Sequence, residues 1–593
     1  MISPKVNLED YLNDRCQVTD DQAAVVRAAG NLAVRACPGS GKTRTVGTRL
    51  AYRIANWEKP HSGVAALSFT NVAMDEIAEQ LERLGFPRTV SFPHFMGTIN
   101  SFVDQFIFLP HGHLVMGEKC LSRRPELVLD HNRHWVSVRF PLGGELRDYS
   151  ICDFHYDIDG CLVWTSAVGQ YLPPPANPND AAPVKTKMAR AGFATHTDAM
   201  YWALRVLRTY PQIARGVATR FPEIMVDEFQ DTSDVQLAIL SELHKTGLCT
   251  LVLMGDPDQS IYEFHRARPE ALISAMSRKD WKSFNLRHNF RSSQLICDVS
   301  SRFSSLTEPS KASGNCRDCP ISPMVKVYAD RDISSLPEAF EATVLAHGLD
   351  PSKSAILTLK NSNVDRLAGM KTGREFPRAI HRPTRRLIKA AHARDDGHIG
   401  DALEATGYCI LDIVFGVSTY GPNRSSLGDI SYRHWKRSCY ELLCALPTTD
   451  LELAAWLCEA KSVITAFLQE RGWPGDSSLG RRFPHLKSAD AHKPASDFLV
   501  QQPKLFSASI KTIHGAKGET HDATMVVASP VLKGQGSSDA RDWFDPLDAC
   551  GLRPESVRRL YVAMTRARRL LLISIPQSAW PKCKPHFEGF QTI

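Results

Sequence analysis

The chain holds 593 residues, 43% hydrophobic and 23% charged, which is too long for one core and ordinary in composition for a folded protein. Its 71 Lys and Arg against 64 Asp and Glu give a net charge of +7, compatible with a polyanionic partner and too weak to establish one. No run approaches the roughly 18 apolar residues of a membrane span, MISPKVNLED lacks a signal-peptide pattern, and the 15 cysteines follow no disulfide spacing, so a cytoplasmic protein in a reducing compartment is expected.

In chain order, short apolar runs alternate with helical spacing. LAVRAC at 32 to 37, VAALSF at 64 to 69, EIMVD at 223 to 227 and TLVLMG at 250 to 255 read as strands, and AMDEIAEQLERL at 73 to 84 reads as a helix. A second series follows, with MVKVYA at 324 to 329, SAILTL at 354 to 359, FSASIKT at 506 to 512, TMVVAS at 524 to 529 and LLLISI at 570 to 575. The alternation predicts an α/β protein with two parallel sheets flanked by helices.

Two segments break the pattern and read as insertions. The first, 103 to 195, contains LPPPANPNDAAP at 172 to 183, which argues against a helix or central strand there. The second, 375 to 505, holds the helical LELAAWLCEAKSVITAFLQ and a Gly, Pro and Ser-rich end. Cys316 and Cys319, as CRDC, are half of a zinc ribbon whose second pair is missing, so a structural metal is disfavoured on spacing alone. HRPTRRLIKAAHAR at 381 to 394 reads first as a solvated basic face.

ACPGSGKT at 36 to 43 stands between a predicted strand and helix. Gly39 and Gly41 allow backbone N–H groups to turn inward around phosphate oxygens at a helix N-terminus. Lys42 would reach the β and γ phosphates and Thr43 would offer its hydroxyl to Mg²⁺, although Ala36 replaces the first Gly of the simple P-loop formula. MVDEFQDT at 225 to 232 puts Asp227 at a strand end, where it can hold the Mg²⁺ shell, and Glu228 beside it can activate the attacking water. Paired acids repel unless a cation lies between them. A DE pair alone is a common solvated strand end; it gains meaning by following the P-loop. Gln259 in MGDPDQSIYEFHRA could sense the γ phosphate. Arg291 in LRHNFRSS and Arg566 in RRLYVAMTRARR, if they reach the nucleotide from the second series, would act as arginine fingers across a cleft.

With these motifs in order, the chain resembles superfamily 1 DNA helicases of the UvrD/Rep/PcrA type. The resemblance implies two RecA-like P-loop motor domains: 1–102 with 196–280, interrupted by an insertion at 103–195, and 281–374 with 506–593, interrupted at 375–505, each insertion mainly helical. Asp20, Asp21 and Gln22 resemble the adenine-reading Q motif, and ACPGSGKTR implies nucleotide contacts from Ala36, Cys37, Pro38, Gly39, Ser40, Gly41, Lys42, Thr43 and Arg44. Phe290 matches the aromatic that stacks on adenine. SFTNVAMDEI, GTINSF, GDPDQSIYEF and TIHGAKGET imply contacts to single-stranded DNA by Thr70, Asn71, Thr98, Asn100, Phe264, His514 and Lys517. Gln230 and Asp231 are expected to tie the nucleotide site to the DNA channel. Taken singly, each of these aromatics is more readily a core residue.

The activity so implied is ATP hydrolysis with Mg²⁺, coupled to 3′ to 5′ movement on single-stranded DNA or tailed duplexes. There are departures. His265 and Arg266 stand where the family has Arg-Gly, Val72 follows Asn71 in place of Lys, and Gly518 is followed by Glu519 and Thr520 in place of Leu-Glu. These bear on DNA affinity and coupling more than on hydrolysis. The short tail after residue 567 and the absence of an acid cluster argue against a fused nuclease. Compact chains of this form also resemble the GajB component of Gabija antiviral systems, which would make this chain a nucleotide- and DNA-end-sensing regulator of a partner nuclease.

Overall fold

The computed structural model describes residues 7–593 apart from 15–16, 118–123, 128–136, 143–144, 166–174, 176, 262–266, 307, 331, 370–375, 378–379, 381, 416–431, 473–478, 480–482, 487–488, 500–505, 531–538 and 549–550. Two six-stranded sheets organise it. The first runs, edge to edge, Lys282–Leu286, Leu32–Ala36, Thr250–Gly255, Glu223–Val226, Val64–Ser68 and Phe95–Thr98, every pairing parallel. The second runs Ser509–Thr512, Ser354–Thr358, His521–Val527, Ala567–Pro576, Met324–Tyr328 and Gln591–Thr592, again parallel throughout.

The central strands are mostly apolar because helices cover both faces. Val64–Ser68 and Ser354–Thr358 are buried at every residue. Leu32, Val34, Val64, Ala66 and Met225 face one side of the first sheet, packed against Val46, Leu50, Ile77 and Leu81 of the helices Lys42–Ala55 and Asn71–Arg83. Ile224, Val226, Leu251 and Leu253 face the other side, against Leu204, Leu207 and Leu240. In the second sheet Val325, Leu357, Val526 and Ile573 meet the helix Glu555–Met564 through Val557 and Leu560.

Every strand read from the sequence is present within a few residues, and three edge strands escaped it. Phe95–Thr98 and Lys282–Leu286 carry polar or small residues that blur an apolar run, and Gln591–Thr592 is only two residues long. Lys282–Leu286, beyond the expected boundary at 280, pairs with the P-loop strand, so the first sheet recruits chain to residue 286.

The second insertion is helical as expected: Arg382–Asp395, Ile399–Phe415, Tyr432–Ala445 and Leu453–Glu470 surround a core of their own that includes Ile388, Leu443 and Trp456. The first differs from the mainly helical expectation. It mixes short helices with two antiparallel hairpins, Ser137–Leu142 with Glu145–Ser150 and Phe154–Tyr156 with Leu162–Trp164. The proline-rich stretch at 172 to 183 also behaves differently. Its described end forms the 3₁₀ turn Pro178–Ala181 and opens the helix Ala182–Arg190, with Pro183 in the first turn, where a missing N–H leaves no helix bond unmade. No described helix is long and apolar enough to cross a membrane.

Candidate nucleotide site between the two sheets

The strand Leu32–Ala36 ends in a loop that opens the helix Lys42–Ala55. Gly39 and Gly41 sit at φ 70° and 74°, the left-handed region open to glycine, and Gly41 is the residue immediately before the helix. Gly39 is also fixed by a close approach: a Cβ there would lie 2.7 Å from both Arg291 Cβ and Asn289 Oδ1. Phe290 N–H donates to the Gly39 carbonyl at 2.9 Å. The loop is therefore pressed against the chain that leads into the second sheet.

Lys42 Nζ donates to Glu228 Oε2 at 2.8 Å. Burial works against its charge, but the carboxylates of Glu228, Asp227 and Asp256 outweigh it and raise the ammonium pKa. Asp227 is fully buried at the end of Glu223–Val226. Its Oδ1 accepts the Glu228 N–H at 3.0 Å, and the Thr43 side chain is near enough to favour its charged form. Among the described residues its Oδ2 has no partner. Burial, with the neighbouring Glu228 charge, pushes Asp227 up to about 7. An orphaned carboxylate oxygen next to a threonine hydroxyl is the donor set of a hard cation such as Mg²⁺, so these residues fit the ion the sequence implies.

Glu228 is the one described non-glycine residue at positive φ, 51°. That conformation costs an L-residue about 1–2 kcal/mol, and here it turns the carboxylate toward Lys42. Burial opposes ionisation of Glu228, yet Lys42 and then Lys517 hold its carboxyl down at about 2. It also accepts from the Gln230 amide, whose oxygen takes the Asp256 N–H at 3.0 Å. Gln230 thereby joins the DEFQD turn to the residue that follows the strand Thr250–Gly255.

From the second half, Arg566 Nη2 donates to Gln259 Oε1 at 2.8 Å, and the Gln259 amide donates to Asp256 Oδ2 at 2.6 Å. Arg291 donates to the Thr565 carbonyl at 2.9 Å. Burial and the neighbouring Arg566 press Arg291 down to about 9, so it remains cationic at neutral pH. Both guanidiniums lie within electrostatic reach of Glu228, so this side of the cleft gathers cations suited to an anionic ligand. Phe290, 42% exposed, stands beside the P-loop with its ring 6.4 Å from that of His288 and nearly parallel to it, leaving a face for a base.

Other predicted positions are used differently. The Gln22 amide is occupied by the protein, donating to the Ser40 carbonyl at 2.8 Å and accepting the Thr19 N–H at 3.0 Å, so it braces the P-loop. Arg44 donates to the Tyr11 hydroxyl at 2.7 Å. Burial raises the Cys37 thiol pKa, so the group stays neutral within the loop. Thr70 and Thr98 cap the helices that leave adjacent strands, accepting from Ala73 N–H at 3.3 Å and Ser101 N–H at 3.1 Å, and exposed Asn100 accepts from the Gln236 amide. His514 contacts the Ile261 carbonyl, and Lys517 Nζ lies 2.5 Å from Asp231 Oδ2, turned into the cleft rather than outward. Phe264, with His265 and Arg266, and the Asn71 side chain lie outside the described residues. Glu519 is held by Lys511 at 2.7 Å and His521 at 3.0 Å.

Sequence reasoning missed a latch. Buried Asp258 binds Arg35 at 2.9 Å, the Ser304 hydroxyl at 2.7 Å and the Ser305 N–H at 3.0 Å, tying the C-terminal ends of the first sheet's inner strands to the second half. Asn289 was missed as well; its Oδ1 accepts the N–H groups of Arg291 and Ser292 at 2.8 and 3.0 Å. DPDQ and HNF each contained an unassigned polar residue beside an assigned one, which was the available signal.

Residues 18–132 and 182–280 match the family model of the UvrD/REP helicase N-terminal domain. Those residues are similar to the N-terminal domain of UvrD/REP helicases. They include the P-loop, Asp227, Glu228 and Gln259, whereas Arg291, His514, Lys517 and Arg566 lie beyond the matched residues. Similar proteins include a probable DNA helicase II homolog of Mycoplasma capricolum, 24% identical over 315 residues, or 50% of this chain and 41% of that protein. The ATP-dependent DNA helicase UvrD1 of Mycobacterium leprae is 27% identical over 310 residues, 46% of this chain and 37% of that protein. A Carboxydothermus hydrogenoformans protein named as one chain of an ATP-dependent helicase/nuclease is 38% identical over 106 residues, 18% of this chain and 9% of that protein. The chain thus spans less than half the length of these curated relatives.

Proposed function

We propose that this chain is an ATP-dependent DNA helicase or translocase that moves 3′ to 5′ on single-stranded DNA. The observation that carries the reading is the convergence, across one cleft, of Lys42, Asp227 and Glu228 from the first sheet with Arg566, bonded to Gln259, from the second half. Lys42 and the P-loop amides would hold the β and γ phosphates, and Arg291 and Arg566 would neutralise charge developing on the transferred phosphoryl group. Glu228, already ionised, would accept the proton of the attacking water once the γ phosphate draws Lys42 away. Thr43 and Asp227 would hold Mg²⁺, which would supply positive charge against the phosphates. Phe290 would stack on adenine.

The division into 1–102 with 196–280, 103–195, 281–374 with 506–593, and 375–505 belongs to this reading, the first motor sheet extending to 286. Thr70, Asn71, Thr98, Asn100, Phe264 and His514 would line the strand's path. Lys517, bound to Asp231, would report from that path to the catalytic turn. The test is strand displacement on duplexes with a 3′ or a 5′ single-stranded tail. Unwinding from the 3′ tail alone supports the proposal; unwinding from the 5′ tail alone reverses its polarity, and none with either tail rejects the helicase.

A second reading makes this chain the nucleotide-sensing partner of a nuclease in antiviral defence. The relative named for a helicase/nuclease favours a nuclease connection. Co-purification of a nuclease with the tagged chain, together with DNA-dependent ATP hydrolysis lacking unwinding, would select it.

A further inference from the structure

The turn at Cys316–Cys319 takes no part in the steps above. Cys319 N–H donates to the Cys316 carbonyl at 3.1 Å. This is the i to i+3 bond of a β-turn, which keeps the two Cα atoms within about 7 Å, and disulfides join Cα pairs roughly 4.4–6.8 Å apart. Both cysteines are free thiols, partly exposed, and both line one open cavity of about 480 Å³ with Asn315 and Arg569. Among the described residues no third ligand gathers with them to hold a metal.

The turn is laced to the nucleotide cleft. Gln294, three residues after Arg291, donates its N–H to the Arg317 carbonyl at 3.1 Å and binds Ser310 and Ala312 through its side chain. Ser313 Oγ contacts His288 Nδ1 at 2.8 Å, and a Cβ on Gly314 would lie 2.0 Å from the Phe290 carbonyl. Cys319 Sγ contacts the Arg569 carbonyl at 3.8 Å, on the strand that begins just after Arg566. A change at the turn therefore bears on the backbone that sets Phe290, Arg291 and Arg566.

We propose that Cys316 and Cys319 are a redox modification site, forming a reversible disulfide that weakens nucleotide binding in the adjoining cleft. A small-molecule disulfide such as oxidised glutathione is the oxidant. One cysteine thiolate attacks its S–S bond and expels one glutathione thiolate. The second cysteine thiolate then attacks the mixed disulfide and expels the other. The two protons given up by the cysteines are taken up, through solvent, by the two expelled glutathione thiolates, so the protein loses two electrons and glutathione disulfide is reduced to two thiols. Forming the bond swings Cys319 Sγ off the Arg569 carbonyl and tightens the turn that Gln294 grips. Transient disulfides of this kind are the form that sensing takes in a reducing compartment.

The coupling rests on the nucleotide reading above; the bond itself does not. Equilibrate the full chain in reduced or oxidised glutathione, alkylate remaining thiols and digest with trypsin. Trypsin cuts after Arg317, between the two cysteines, so the disulfide keeps two peptides joined that reduction separates. In parallel, measure binding of a fluorescent ATP analogue by wild type and the Cys316→Ser/Cys319→Ser double variant. The expected result is a joined peptide that dithiothreitol abolishes, with affinity lowered about fivefold or more in oxidised wild type, the lower end of ordinary site coupling, and unchanged in the double variant. No joined peptide overturns the bond. A joined peptide with unchanged affinity overturns the switch, and an equal loss in the double variant assigns the effect to other cysteines. Reduced wild type that binds no nucleotide overturns the nucleotide reading and the coupling with it, while the peptide result still decides the bond.

Discussion

The two sheets share a topology class and divide the chemistry by sign. The first presents a phosphate cradle and a cluster of buried acids at its strand ends: Asp227, Asp231, Asp256 and Asp258 are each nearly or fully buried. Burial, with the additional charge of Asp258, pushes Asp256 up to about 6, and burial against the pull of Lys517 pushes Asp231 to about 6. The second contributes cations, Arg291, Lys517 and Arg566. Neither half is electrostatically complete, because the acids need a cation and the arginines need an anion. In the proposed reading a nucleotide with its metal ion would supply both, at the place where the halves meet.

That contrast can be broken from the cationic side first. Arg566→Ala should cut ATP turnover by about 10³ to 10⁵ while leaving nucleotide affinity within a few fold, read by steady-state hydrolysis beside equilibrium binding. Equal losses in both would place Arg566 in ground-state binding instead. From the acidic side, Glu228→Gln should lower turnover by about 10² to 10⁴ with nucleotide still bound. Retention of near-full hydrolysis would remove Glu228 from the role of base.

The latch between the halves offers a smaller effect. Asp258→Ala leaves Arg35 without its buried carboxylate and should cost roughly 3 kcal/mol in urea unfolding; an unchanged midpoint would show that Asp258 does not hold the halves together. Smallest is a contribution confined to the first half. Burial and the nearby Arg220 lower His94 to about 4, and its Nδ1 accepts the Val64 N–H at 3.3 Å. A group whose folded pKa is depressed contributes stability that is complete above its unfolded value near 6.5 and is lost as pH falls from there toward 4. Given its partial exposure, the loss should be on the order of 1 kcal/mol. Thermal melts from pH 7 to 5 should show a steeper decline for wild type than for His94→Gln; parallel declines would assign the acid sensitivity elsewhere.

The asymmetry also explains what the sequence disclosed. The strands of both sheets were legible because burial on two faces forces unbroken apolar runs, and the P-loop was legible because GSGKT has few alternative uses. Edge strands such as Lys282–Leu286 were not, since one open side relaxes the demand for apolar residues. Gln22 and Lys517 were named from resemblance, but the direction in which each side chain turns, toward Ser40 and toward Asp231, depends on contacts far away in the chain. Asp258 was passed over because its partners, Arg35 and Ser304, are distant in sequence. Nothing local marks such a pairing.

The most direct measurement is steady-state ATP hydrolysis by the purified chain with and without single-stranded DNA. A motor that closes its two halves on nucleotide in response to DNA should hydrolyse ATP slowly alone and far faster with the strand present. Hydrolysis at one rate under both conditions would contradict the coupling of strand and cleft on which the account depends.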